Sequence, residues 1–268
     1  MQRNIIATLL LVLLTLSGAA RAAEFDHGAW DGLLKAHVVP ITNGNATEVN
    51  YAGMANDRAK LKAYLAALTS VSRTSFDSWS KPEQLAFLIN AYNAWTVELI
   101  LTKYPKLESI KDLGSLLKSP WKKEFIPLLG KTLSLDNIEQ DMIRGSGAYN
   151  EPRIHFAVNC ASIGCPALRT EAFTGGKLAV QLDAATRGFL SDRSRNRLQD
   201  GELQVSSIFK WYREDFERGW QGYKSLQQFF SDYATALGLS PTDVQKLQSK
   251  SLEIEFLDYD WRLNSVKK

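Results

Sequence analysis

Both cysteines of this 268-residue chain, and one of its three histidines, fall in a single short stretch: His155-Phe-Ala-Val-Asn-Cys160-Ala-Ser-Ile-Gly-Cys165-Pro166. Three chemistries fit these residue types. Cys160 and Cys165 could join as a disulfide, the usual fate of paired cysteines in an oxidising compartment. So small a loop would restrict the unfolded chain by only about 2 kcal/mol, enough to pin a loop and little more. Alternatively, Cys160 is a nucleophile with His155 as its base, because a nearby imidazole makes a thiolate available near neutral pH. The amides around Ala161, Ser162 and Gly164 would then be candidates for an oxyanion hole. The third chemistry, a metal site from His-x4-Cys-x4-Cys, has non-standard spacing and no fourth ligand. No metal is therefore expected, and no cofactor motif occurs anywhere in the chain. A thiol–disulfide exchange role ranks behind these, since C-x4-C is not the redox C-x-x-C spacing.

Asn90 and Asn93 are the next candidates. They lie three residues apart on one side of a helix that is otherwise apolar. A buried amide without partners costs on the order of 1–3 kcal/mol, so each must bond either a neighbouring backbone or a group in a site. Orienting His155 is the functional option, because a base needs a third group to fix its tautomer. Tyr92 and Trp95 read as core. His27 and His37 read as surface residues.

These residues need elements to position them. Ser80-Lys-Pro-Glu83 forms a capping box ahead of a helix over Gln84–Lys103 that is hydrophobic nearly all round, so it should be buried and central. Further helices are expected over 31–39, 57–68 (with Asn56 as cap), 135–144 (Ser134 as cap), 178–190, 207–216, 223–237 and 241–249. Phe125–Leu133 reads as one hairpin. Arg197–Val205 reads as another, turning at Asp200-Gly201. Arg153–Asn159 reads as a short strand, with His155 on its more polar face beside Arg153, Ala157 and Asn159. In a regular strand, His155 and Cys160 would point to opposite faces. Glu253–Leu257 is a last strand. The fold class is α+β: a helix-rich single domain around a buried central helix, with a small, mostly antiparallel sheet.

Residues 1–22 read as a secretory signal peptide: a positive start, an apolar run from Ile5 to Leu16, and an exit through Ala20-Arg21-Ala22. The run is shorter than the roughly 20 residues a membrane span needs. A periplasmic or secreted product is expected, with residues 23–268 as one domain and no membrane insertion after cleavage. Formal charge is +3, or +1 without Arg3 and Arg21. The clusters Lys122-Lys123 and Arg193/Arg195/Arg197 read as solvated faces, which leaves no basic stripe for nucleic acid. Partners are thereby narrowed to an unidentified small molecule, peptide or protein.

Several segments together resemble one family. Phe87-Leu-Ile-Asn90-Ala-Tyr-Asn93-Ala, Leu135-Asp-Asn-Ile-Glu139 ahead of Arg144, and His155 through Cys160 with Cys165-Pro166 carry the first part of the resemblance. Ile208-Phe-Lys-Trp-Tyr212 with Asp215-Phe216, and Tyr259-Asp-Trp-Arg-Leu-Asn264, carry the rest. In this order, from roughly Val49 to Asn264, they resemble the family called domain of unknown function 547. The resemblance implies a domain of exported bacterial and of plant proteins with no assigned activity, distantly similar to papain-like or transglutaminase-like thiol enzymes. It also implies that the position of Cys160 is kept more regularly than that of Cys165, where serine can stand, which favours Cys160 as the functional thiol. Leu88 departs from the family's common tryptophan, and Ala161 from its common glycine. Two functions follow as expectations. One is a thiol-dependent hydrolase or acyl transferase on peptide or amide bonds, with Cys160 as nucleophile, His155 as base and Asn90 or Asn93 orienting. The alternative is a non-enzymatic binding module whose loop is locked by a Cys160–Cys165 disulfide.

Overall fold

The Ser80 capping box is made as expected: the Ser80 hydroxyl accepts from the Glu83 amide, and the Glu83 carboxylate accepts from the Ser80 amide. It starts a helix, Lys81–Leu101, in which almost every residue is buried. The computed structural model describes residues 24–115 and 119–266. The expected signal peptide, residues 1–22, lies outside the described residues. Gly28–His37 packs on Tyr51–Asn56 and Arg58–Ser70, which both contact the central helix, as Arg73–Asp77 does through Phe76. Leu61, Tyr64, Leu65 and Leu68 form the inward stripe of the third of these, held by their helical spacing. That helix begins after Asp57, without a side-chain cap from Asn56.

The architecture is α+β. Among the described residues its strands form three small sheets, where one was expected. Val38–Ile41 pairs with Ala46–Val49, and Ile126–Leu128 with Lys131–Leu133, both antiparallel. The third sheet joins Arg197–Gln199, Glu202–Ser206 and Ile254–Leu257, the last pair being parallel. Asp200 and Gly201, both at positive φ, make the tight turn of that hairpin.

Helical segments in the second half are more broken than their periodicity suggests. Ser207–Phe216 splits into a helix, Ile208–Trp211, and a 3₁₀ turn, Arg213–Phe216. Tyr223–Leu237 splits at Tyr233. Asn137–Arg144 is a π-helix, although the Ser134 hydroxyl caps its start as expected.

The largest correction is at Arg153–Asn159, which is not a strand. Pro152–Phe156 is a 3₁₀ turn. Alternating Ile154, Phe156 and Val158 imitate strand period, but Pro152 is preset for a first helical position and the Glu151 carboxylate caps the Arg153 amide. The turn sits where two hydrophobic clusters meet: Ile154, Ala157 and Val158 belong to one, and Phe156 to the other. The opposite-face objection to a His155–Cys160 pairing therefore falls away.

Two other expectations are corrected by burial. His27 and His37 are buried rather than on the surface. His27 Nδ1 bonds the Tyr64 hydroxyl at 2.7 Å, and His37 Nε2 bonds Asp57 at 2.8 Å. Arg195 is likewise buried, bonded to Asp192 and to backbone carbonyls, rather than part of a solvated face.

Burial lowers the pKa of His27 to about 4, against a small opposing effect of Asp26. In the unfolded chain the ring titrates near 6.5. Between those values the unfolded state binds a proton that the folded state refuses, so stability falls as pH drops from about 6.5 to about 4. His27 accounts for about 3 kcal/mol of that loss. Urea unfolding across this window should show His27→Gln losing less stability than the parent chain. A difference between the two that stays constant with pH would refute the assignment.

Candidate functional site

A cavity of about 230 Å³ opens beside the loop that carries both cysteines. His155, Cys160 and Cys165 line it, together with Tyr92, Glu139, Tyr212, Tyr259 and three tryptophans, Trp121, Trp211 and Trp261. These groups come from the central helix, the 3₁₀ turns at 120–122 and 152–156, the π-helix, the cysteine loop, the segment 208–212 and the closing segment 258–264. Tyr92 is thus both core and cavity wall, whereas Trp95 packs edge-on against Phe125.

His155 is 2% exposed. Its Nε2 lies 2.7 Å from Oδ2 of Asp215, a carboxylate with no exposure. An ionised carboxylate can only accept, so Nε2 carries the proton and Nδ1 keeps a lone pair. Among the described residues, that Nδ1 has no hydrogen-bond partner. Tyr212 stacks on the ring with centroids 3.9 Å apart. Burial lowers the pKa of His155, opposed by the bond to Asp215. The ring is therefore neutral at neutral pH and available as a base.

Burial alone would raise the pKa of Asp215. Bonds from His155 and Arg144 outweigh it and hold the carboxyl down to about 2. Arg144 donates twice to this carboxylate and Arg218 once. Asp215 thus anchors His155 and Arg144 from afar and Arg218 from its own turn. In the sequence, Asp215 stood out only within the segment Ile208–Tyr212 with Asp215-Phe216 that carries part of the family resemblance. The 60 residues between His155 and Asp215 hid the pairing. Glu139, buried on the π-helix, faces the hydroxyls of Tyr92 and Tyr212. It was visible in the sequence only as part of a motif.

The asparagines clamp backbone rather than orient His155. Asn90 donates to the Phe173 carbonyl and accepts from the Phe173 amide. Asn93 does the same across the 157–159 segment, donating to the Ala157 carbonyl at 2.9 Å and accepting from the Asn159 amide at 2.8 Å. Asn159 then bonds the Pro166 carbonyl and the Ala161 amide. The closing segment runs along the other side of the loop: the Ile163 amide bonds Arg262, the Gly164 amide bonds Asp260, and the Asn264 amide bonds Ala161. Arg195 caps the loop's end at the Cys165 carbonyl. The Ala161 amide is taken by Asn159 and the Gly164 amide by Asp260, which removes two of the three amides expected to form the oxyanion hole.

The sulfurs of Cys160 and Cys165 lie 2.12 Å apart, at disulfide distance. Cys160 is partly exposed toward the cavity, while Cys165 is 5% exposed. The Ser162 hydroxyl is 3.1 Å and the Tyr259 hydroxyl 3.3 Å from the Cys160 sulfur. Gly164 admits the Tyr259 ring: a Cβ there would meet it at 2.9 Å.

Ala161 has φ +61, a left-handed conformation that glycine adopts without a steric cost. Its place in the fold explains why glycine suits the position. Ala161→Gly should stabilise the protein by about 0.5–1 kcal/mol, since strain relief outweighs the added chain entropy. Thermal and urea unfolding would measure it, and a destabilised variant would contradict the account.

No curated protein and no solved structure matches the chain. Residues 76–190 match the model of the family described as "Protein of unknown function, DUF547". That span holds the two clamping asparagines, Glu139, His155 and both cysteines, while Asp215 and Tyr259 come from beyond it. Residues 76–190 are thus similar to the DUF547 family model, and groups from the C-terminal third complete the cavity.

Proposed function

We propose that this protein is a thiol-dependent hydrolase or acyl transferase acting on peptide or amide bonds outside the cytoplasm, with the Cys160–Cys165 bridge as its resting form. One observation carries the reading: His155 is buried, fixed by Asp215 through Nε2, left with an unpartnered Nδ1, and lines the same cavity as Cys160. A thiol nucleophile, a base and a group that orients the base make up the constellation acyl transfer needs. Reduction by a dithiol would release Cys160. His155 Nδ1 would take the thiol proton as Sγ attacks the acyl carbon, and would return it to the leaving amine. Water, deprotonated by the same nitrogen, would then cleave the thioester.

The bridge itself favours the second reading, a binding module with a locked loop. The loop's other restraints argue against that role. Asn93, Asn159, Arg195 and the closing segment already fix its backbone, and so short a bridge adds only about 2 kcal/mol.

Turnover of an amide or thioester substrate library should therefore appear only after reduction in the parent chain. It should appear without reductant in Cys165→Ser, and vanish in Cys160→Ser, while all three proteins keep the same fold by circular dichroism. Turnover by Cys160→Ser at the parental rate would refute the thiol assignment.

A further inference from the structure

A thiolate that attacks an amide carbonyl drives negative charge onto its oxygen, and hydrogen-bond donors must already wait where that charge develops. The loop amides of Ala161, Ile163 and Gly164 are bonded elsewhere. Other donors converge on one point beside the nucleophile, the position of the Cys165 sulfur. The Cys160 amide is 2.8 Å from that sulfur, the Tyr259 hydroxyl 3.3 Å and the Ser162 hydroxyl 3.6 Å. Bonded to Cys160 Sγ, the Cys165 sulfur fills the space an acyl group must enter to form its own bond to that atom. A disulfide sulfur is a weak acceptor and gains little from three donors. An oxyanion gains a great deal.

We propose that the Cys165 sulfur stands in for the reacting acyl group, and that the Cys160 amide and the Tyr259 hydroxyl form the oxyanion hole, making Tyr259 a catalytic residue. The inference rests on the thiol reading above. On reduction, the disulfide takes two electrons and two protons from a dithiol. The Cys165 side chain then turns away and the substrate carbonyl takes its place. Attack forms the S–C bond and moves the carbonyl π electrons onto oxygen, facing the Cys160 N–H and the Tyr259 O–H. Expulsion of the amine, protonated by His155, restores the carbonyl as a thioester.

The surroundings suit Tyr259 to this task. Burial raises its pKa, so it remains a donor at neutral pH. Trp261 and Trp211 pack on its ring at centroid distances of 4.5 and 4.9 Å. Gly164, lacking a Cβ, lets the ring lie close to the cysteine loop. Ser162 Oγ lies nearer the Cys160 sulfur than the Cys165 sulfur, which assigns it to holding the nucleophile.

Two reagents separate these roles, used on the Cys165→Ala chain so that no bridge forms. p-Nitrophenyl acetate acylates a thiol through a tetrahedral oxyanion, whereas iodoacetamide alkylates it without one. Tyr259→Phe should slow acetylation of Cys160 by about 10²-fold, while its alkylation changes by less than about threefold. Gly164→Ala, which displaces the Tyr259 ring but keeps its hydroxyl, should give the same selective loss if Tyr259→Phe does not fold. Equal loss with both reagents would overturn the proposal, because Tyr259 would then act on the thiol itself. Unchanged acetylation would also overturn it. Failure of the Cys165→Ala parent to take any acetyl group at Cys160 would instead defeat the thiol reading, and this inference with it.

Discussion

A carboxylate with no contact with water must be neutralised by its neighbours, because an uncompensated buried charge costs several kcal/mol. Asp215 is that carboxylate here, and the candidate site is arranged around it. Arg144 reaches it from the π-helix, Arg218 from the turn just after it, and His155 from the 3₁₀ turn. Two segments distant from it in sequence are thereby fixed to one group. Two arginines more than balance the carboxylate, so its pairing needs no charge on His155, which burial holds neutral. A ring under less cationic pressure and in contact with water would spend part of its time protonated and unable to accept. The salt-bridge cluster therefore fixes the geometry of this region, while burial keeps the His155 ring neutral.

The loop from Asn159 to Pro166 answers to a different constraint. It crosses between the central helix and the closing segment, with Asn159, Ala161, Ser162 and Cys165 all buried, so its backbone amides and carbonyls need partners. Asn93 supplies them from the helix, Arg195 from the far side, and residues 260–264 along its length. Ala161 takes a left-handed conformation within this frame, at a steric cost that the surrounding bonds offset. Such a loop is rigid before any disulfide forms, and rigidity of this kind is what a reacting constellation requires.

The central helix, its capping box, both hairpins and the inward stripe of Arg58–Ser70 were legible in the sequence because each depends on short-range rules of spacing and turn chemistry. The 3₁₀ turn at Pro152–Phe156 was not. Its apolar residues alternate as in a strand, yet Ile154 and Phe156 feed two different clusters, and only tertiary packing reveals this. Cys160, His155, Asn90 and Asn93 were singled out by residue type alone, and the structure gathers the first two at one cavity while assigning the asparagines to backbone. Asp215, Glu139 and Tyr259 carried a signal only as members of a family motif. No local pattern says that a carboxylate 60 positions away will meet a given imidazole. The burial of His27, His37 and Arg195 was hidden for the same reason, since polar residues are expected outside unless a partner is known.

The claim at the centre of this account is that His155 activates Cys160. The most direct measurement is the rate at which Cys160 of the reduced protein is alkylated by iodoacetamide as a function of pH, followed by mass spectrometry, in the parent chain and in His155→Ala. The account expects Cys160 to react at neutral pH at least about tenfold faster than in the variant, with a profile rising well below the free-thiol value of about 8.5. Matching profiles in the two proteins, both rising near that free-thiol value, would contradict it.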